Sequence, residues 1–454
     1  MKKAKLQVDP LHGSVLRSML LFALPIMGTA FLQMLFTSVD TMVLGKFGME
    51  NSMAAVGASA SVISLIITAV SGLGTGVSIV VGARTGRGEQ DSVAALLHSL
   101  PLTALLIGLT VTILAGSLAE PILLLVHCPP GLLPDALLYF RIYFLSLPFM
   151  LTFTVLSSVL QARGASFQPF VIQVSCGALN LGLNLLFVIA CGWNVVGVAV
   201  ATVISQAVSA GAMLFYFVRM ERELPLSLKK LRVFAGFGQV LRLGIPASLG
   251  SVLMNLSGVI IQTAINDFPE TVISGNTVSA SIEGLICVAF VGFSSAGMVF
   301  VSQNAAAGDM ARTRRVQRCA TLTALLLGEA LGFLVYALSD LVIGLYTDVP
   351  AIAEIAKLRM LYMCLPYGLC GAMNVMSGCV QGLGNTRIPL VISILSSCVF
   401  RVLWIYLYAR PRGTISAIYI SYPLCWLLAT SLYLVAFALL LKKKRAMLAP
   451  AAQE

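Results

Sequence analysis

The chain has 454 residues, 58% of them hydrophobic and only 10% charged, against about 25% charged in a typical water-soluble domain. That balance excludes an ordinary soluble enzyme or signalling domain and points to a chain that lives in the bilayer. The net charge of +11 would suit a nucleic-acid partner, but the basic residues follow membrane topology, so no nucleic-acid partner is expected.

Apolar runs of about 20 residues, each able to cross ~30 Å of hydrocarbon, recur along the whole length, and twelve spans are expected. The opening MKKAKLQVDPLHGS is basic and polar. The long apolar run after it lacks a small-residue cleavage site, so it reads as a retained span and not a signal peptide. In this first span, Met19 to Leu44, the residues Gln33, Thr37, Asp40 and Thr41 fall at i, i+4, i+7 and i+8 and share one helix face. A carboxylate at that depth costs about 2.5–3.5 kcal/mol or more, so Asp40 is the leading candidate for binding a cation or carrying a proton. Pro25, about four turns earlier, removes a backbone hydrogen bond and is a candidate hinge.

Gly72, Gly74 and Gly76 in the second span read as close helix packing; no lysine follows at P-loop spacing. Pro148 in the fourth span and Pro366 in the tenth are candidate kinks. In the fifth span Gln173, Gly177, Asn180 and Asn184 line one face, and in the sixth Thr202 and Gln206 lie one turn apart. If these faces meet Asp40, the first half holds an oxygen-rich pocket with one carboxylate, suited to H⁺ or Na⁺. The bland alternative is polar glue between helices. The seventh span carries a stripe of Ser251, Asn255 and Gln262, the eighth a face with Ser279 and Glu283, and the tenth a face with Asn374 and Gln381. Glu283, Asn255 and Gln262 are candidates for cation or substrate binding. Glu329 and Arg401 also lie inside spans, where such groups snorkel, pair or act. Methionines and phenylalanines such as Phe31, Phe36, Phe153 and Phe290 are candidates to line an adaptable apolar cleft.

With the N-terminus in the cytoplasm and the side alternating at each span, cytoplasmic segments hold 22 of the 29 Lys and Arg. Lys46, Arg141, Lys357, Arg359, Arg410 and Arg412 fall on the opposite side, and Arg401 within a span. This is the positive-inside pattern with both termini cytoplasmic. The ten cysteines include no CxxC pair and read as packing residues. There is no Walker A loop, no HExxH and only three histidines. No enzyme, no catalytic residue, no cofactor and no metal site beyond Na⁺ at Asp40 is expected.

The chain is written twice. QARGASFQPFVI returns as QGLGNTRIPLVI at an offset of 220, which also pairs Ser59, Ala60 and Ser61 with Ser279, Ala280 and Ser281, Gly72 with Gly292, and Gly88 with Gly308. Pro25 finds Pro246 at an offset of 221. The expected organisation is an N-terminal lobe of six spans at 1–218, a cytoplasmic linker at 219–239, a C-terminal lobe of six spans at 240–441 and a basic tail at 442–454. An even span number makes the repeats parallel, related by an axis along the membrane normal. Neither acid is mirrored: Asp40 aligns near Ile260 and Ile261, and Glu283 with Ile63.

These residues resemble the multidrug and toxic compound extrusion (MATE) family of the MOP flippase superfamily. The resemblance is carried by LPIMGTAFLQMLFTSVDTMVLGKFG, ARTGRGE, QARGASFQPF, NLGLNLLFVIACGWNVVGVAVATVISQ, SASIEGL and QGLGNTRIPL, and covers about residues 12–442. It implies an all-α membrane protein of twelve helices in two six-helix bundles forming a V-shaped cleft. It implies a secondary active multidrug exporter in the cell membrane, antiporting drug-like, amphipathic and often cationic compounds against H⁺ or Na⁺. By the resemblance Asp40, Asn180, Asn184 and Thr202 form the cation or proton site, and Glu283 matches a second-lobe acid. Some relatives carry a second Asp where Asn184 stands, and that departure mildly favours H⁺. A monomer is the default. The alternatives are a flippase of lipid-linked precursors, a narrower metabolite exporter on the same fold, and, more distantly, a channel or membrane enzyme.

Overall fold

The computed structural model describes residues 7–47, 52–126, 128–221 and 223–448; the side chains at 37–42, 44–47, 52–55, 58, 61 and 448 also lie outside the described ones. Helix is the only regular structure among the described residues. Ten helices are long and apolar enough to cross a membrane, and two bent pairs bring the total to twelve spans. Span 1 lies in Val15–Phe47, span 2 in Ser52–Gly86, span 3 in Gln90–Ser117, span 5 in Phe167–Ala190, span 6 in Asn194–Met220, span 7 in Gly238–Ile265, span 8 in Glu270–Ala306, span 9 in Met310–Ala337, span 11 in Arg387–Arg412 and span 12 in Ile415–Met447. Their outward faces are apolar, as exposed Ile113, Leu326, Phe333 and Leu407 show. That is the pattern of helices solvated by lipid.

The bent pairs are spans 4 and 10. Leu133–Phe144 meets Leu147–Ala162 at 41°, and Pro350–Cys364 meets Tyr367–Gly382 at 48°. Pro148 and Pro366 sit at these breaks. A proline ring there removes an N–H and clashes with the carbonyl four residues back, so both helices restart at a new angle.

The duplication is visible in the backbone. Gly88 and Gly308 close equivalent helices with φ of 76° and 86°, and Gly164 and Gly384 do so with 90° and 84°. Only glycine takes this left-handed conformation without strain, which explains why it recurs at both copies. Spans 5 and 11 share a π-helical segment, Leu186–Ala190 and Ile405–Ala409, but span 11 has a second one, Ile394–Val399.

The chain forms two compact units, one of residues 1–7 and 28–245, the other of residues 8–27 and 246–454. The units follow the repeats except for an exchange: the first part of span 1 belongs to the second unit, and the first turns of span 7 belong to the first. Glycines allow both contacts. A Cβ on Gly76 would overlap the Val240 carbonyl, and one on Gly244 would lie 2.9 Å from the Gly72 carbonyl oxygen. In the second unit a Cβ on Gly292 would lie 2.7 Å from the Ala23 carbonyl oxygen. The glycine run of span 2 is thus a packing surface, as expected. The chain passes between units two residues after Pro25 and immediately before Pro246.

The linker is fastened to the first unit. His98 Nε2 accepts from the Ser227 N–H at 3.1 Å, and the His98 carbonyl accepts from Arg232 at 3.0 Å. Buried Arg163 donates to Glu223 at 2.8 Å and lies 3.5 Å from Glu221. In the ARTGRGE turn, the hydrogen bond from Arg87 holds the Glu89 carboxyl below its usual range. All ten cysteines are free thiols, and six are buried.

Candidate functional site

In the first unit spans 1 and 5 lie against each other in parallel. A Cβ on Gly28 would sit 2.8 Å from the Phe170 ring, and one on Gly177 would overlap the Phe36 ring. Glycine at these positions lets the two backbones approach. The two contacts fix the register. Residue 28 is level with 170 and residue 36 with 177, so the turn carrying residue 40 is level with residues 181–182, between Asn180 and Asn184. Gln173, Asn180 and Asn184 are buried, and Asn184 Nδ2 donates to Asn180 Oδ1 at 3.3 Å. Burying two amides in an apolar wall is costly unless polar partners face them. The side chains of Thr37 and Asp40 lie outside the described ones, and Gln33 is on an exposed face. Thr202 donates to its own helix at the Val198 carbonyl, 3.0 Å, and makes no hydrogen bond to either asparagine. Its oxygen lone pairs remain available to a cation or proton.

The second unit holds an arrangement the sequence did not disclose. Glu283 is 5% exposed and receives both arms of a guanidinium: Arg359 Nε donates to Oε1 and Nη2 to Oε2, each at 2.9 Å. Ser279 Oγ donates to Oε1 at 2.7 Å, so the face shared by Ser279 and Glu283 is real. Arg359 Nη1 bonds Asn276 Oδ1, and its guanidinium faces the rings of Tyr419 and Tyr422 at 5.8 and 5.5 Å. Asn276 continues to Gln262 at 3.3 Å and Gln262 to Asn266 at 2.8 Å. Gln262 therefore belongs to the Glu283 network, while Asn255 lies on an exposed face of span 7.

Arg359 is a correction. The charge count placed it outside, beside Lys357, yet it is 5% exposed within Pro350–Cys364. The signal was its spacing. Ala356, Arg359, Met360 and Met363 form the buried stripe of that helix, while Lys357 turns outward to Asp340 at 2.8 Å. An acid committed to a guanidinium offers no net charge to a cation. Glu329 is half-buried with Oε1 beside Gly368, at the first turn of Tyr367–Gly382, where the helix N-terminus favours a carboxylate. Arg401 is 7% exposed, stacks 4.8 Å over Tyr422 and donates from Nη1 to Ser257 Oγ at 2.8 Å.

The MatE family model matches residues 25–186 and 246–407, once in each repeat. The chain belongs to the MatE family. Members of the family are transporters, so this is a multi-pass membrane transport protein and not an enzyme. The probable multidrug resistance protein YpnP of Bacillus subtilis is 23% identical over 395 residues, covering 87% of this chain and 88% of its own. The FAD transporter of Shewanella oneidensis is 22% identical over 367 residues, 79% of this chain and 80% of its own. A crystal structure of MATE in the bent conformation matches with a TM-score of 0.88 at 20% identity, over 99% of this chain and 100% of that one. The MatE fold of twelve helices is therefore the fold of this chain, as the sequence led one to expect.

Proposed function

We propose that this MatE-family chain is a secondary active exporter of amphipathic, drug-like compounds, antiporting them against H⁺ or Na⁺ by alternating access. The observation that carries the reading is the register of spans 1 and 5, which sets the Asp40 turn level with the buried Asn180 and Asn184. Asp40 is charged while cargo loads from the cytoplasm or inner leaflet; a cation arriving from outside neutralises it, and cargo leaves. Asn180, Asn184 and Thr202 supply neutral oxygens around it. With one carboxylate the pocket suits H⁺ better than Na⁺, since Na⁺ needs several oxygen ligands and H⁺ only one. The exchange of helix segments at Pro25 and Pro246 supports these as the hinge positions, because a helix lacking a backbone hydrogen bond bends there most easily. The cationic cargo implied by the family resemblance would be received by Asp40, since Glu283 is held by Arg359.

Relatives named as multidrug resistance or export proteins support multidrug export. A narrower metabolite exporter is the second reading, favoured by the likeness to a named FAD transporter. The protein works as a cofactor-free monomer in the cell membrane with both termini cytoplasmic. Export of a fluorescent cation by wild type beside Asp40→Asn tests the reading: loss of gradient-driven export with normal expression is expected, and full activity would overturn it.

A further inference from the structure

The second lobe holds two buried guanidinium groups and, among the described residues, one buried carboxylate. Arg359 takes that carboxylate in a two-armed pair and is satisfied on every side. Arg401 has no acid. Of its three nitrogens only Nη1 is hydrogen-bonded, to Ser257 Oγ, and Nε is sealed from solvent with no partner. Tyr422 lies between the two cations, 5.5 Å from one and 4.8 Å from the other. Among the described residues the buried part of the lobe therefore holds one guanidinium without an acid. A buried cation is costly unless paired, and an ionisable group inside a membrane helix is normally there to act.

The position of this charge follows the duplication. The offset of 220 carries Thr37 to Ser257, Asp40 to Ile260, Leu181 to Arg401 and Thr202 to Tyr422. The packing repeats too. Span 7 meets span 11 where Ser257 Oγ bonds the Ser397 carbonyl and where Gly250 lies against Leu390, as span 1 meets span 5 at Phe36–Gly177 and Gly28–Phe170. The first, fifth and sixth spans of each repeat thus carry polar residues at matching positions. In sequence, the aspartate of the first repeat is an isoleucine in the second, a leucine has become an arginine, and the hydroxyl of the sixth span has become a phenol. The extra π-helical segment Ile394–Val399 ends two residues before Arg401 and has no counterpart in span 5. Such segments re-aim the side chains that follow and recur at functional sites.

We propose that Arg401, Ser257 and Tyr422 form an anion-binding site in the second lobe that takes the carboxylate or phosphate group of an amphipathic cargo. As cargo recognition this rests on the export reading; as a binding site it stands alone. The unused N–H groups of Arg401 suit a planar carboxylate or a phosphate, and the Tyr422 ring holds the guanidinium in place by stacking against it at 4.8 Å. A lipid headgroup presents the same chemistry. Arg401, however, is the fifteenth of 26 residues in span 11, roughly 16–21 Å along the helix from the ends of the span at 1.5 Å per residue. That is near mid-bilayer, out of reach of headgroups at the surface.

The test is binding to the purified protein in detergent, read by fluorescence polarisation, with two xanthene dyes of similar skeleton and opposite charge: fluorescein, a carboxylate, and rhodamine 6G, a cation. Wild type binds fluorescein. Arg401→Gln weakens fluorescein by about ten-fold or more, because a charge-assisted contact is lost, while rhodamine 6G binding is unchanged. Arg401→Lys retains part of the affinity, and Ser257→Ala weakens fluorescein alone. If Arg401→Gln aggregates on size exclusion, Ser257→Ala carries the comparison. Absence of fluorescein binding, equal weakening of both dyes, or indifference of fluorescein to these changes would overturn the site. Displacement of fluorescein by micellar phosphatidylglycerol would assign the site to lipid and overturn cargo recognition. Transport of the same dyes in proteoliposomes separates the two readings. Arg401-dependent binding without any transport keeps the site and defeats export, whereas export of rhodamine 6G without Arg401-dependent binding does the reverse.

Discussion

Breaking the Glu283–Arg359 pair has a size that follows from its geometry. Glu283 accepts three hydrogen bonds from side chains, two of them from Arg359 and one from Ser279. Arg359→Met removes both charged donors and leaves a carboxylate almost fully buried. Removing one partner of such a pair costs about 3–5 kcal/mol, and with one bond of three remaining the loss belongs in the upper half. Glu283→Gln is milder, about 1–3 kcal/mol, because Arg359 keeps Asn276 and the faces of Tyr419 and Tyr422. The double variant leaves no unpaired charge and lies within about 2 kcal/mol of wild type, so the double-mutant coupling is at least about 3 kcal/mol. Melting of the purified protein, followed by tryptophan fluorescence, reads it out. Trp426 packs edge-on at 5.6 Å against Tyr367, whose hydroxyl donates to the Glu283 carbonyl. At roughly 2–4 °C per kcal/mol for a body of this size, Arg359→Met lowers the midpoint by roughly 8–20 °C. A single variant as stable as wild type, or a double variant worse than Arg359→Met alone, would refute the reasoning.

Three further changes test the packing. Gly177→Val drives a side chain into Phe36 and costs about 1–3 kcal/mol; Phe36→Ala in the same chain restores part of it, and additive losses would refute the register of spans 1 and 5. Gly332→Ala places a methyl against the Cys364 carbonyl, a backbone atom that cannot yield, so the melting midpoint drops; an unchanged midpoint would contradict the close approach of spans 9 and 10. Arg163→Ala releases Glu221 and Glu223, so trypsin cuts faster at Lys229, Lys230 and Arg232; an unaltered digestion rate would mean that the His98 bonds alone hold the linker.

The architecture was legible because it rests on signals that survive in one dimension. Span length, the constant offset and the prolines at the breaks of spans 4 and 10 each encode a backbone requirement. Ser279 and Glu283 were readable as a pair because they are one helical turn apart. Arg359 was not. Its partner Glu283 is 76 residues away, and its helix is half of a bent span, too short and too flanked by Glu354 and Lys357 to stand out as membrane. The exchange of helix segments between units was equally hidden, since only the close approach of Gly76, Gly244 and Gly292 to neighbouring backbones shows it. The proposed anion site of the second lobe was latent in the offset, in the step from Thr202 to Tyr422 and from Leu181 to Arg401. It acquires meaning only when Arg401 is seen to lack an acid.

The most direct measurement is efflux of rhodamine 6G from proteoliposomes, driven separately by a proton gradient and a Na⁺ gradient, with wild type beside Asp40→Asn. An ion-coupled exporter with one acid in its first-lobe pocket exports under the proton gradient in wild type and not in the variant. Equal export by the variant, or export that ignores both gradients, would contradict it.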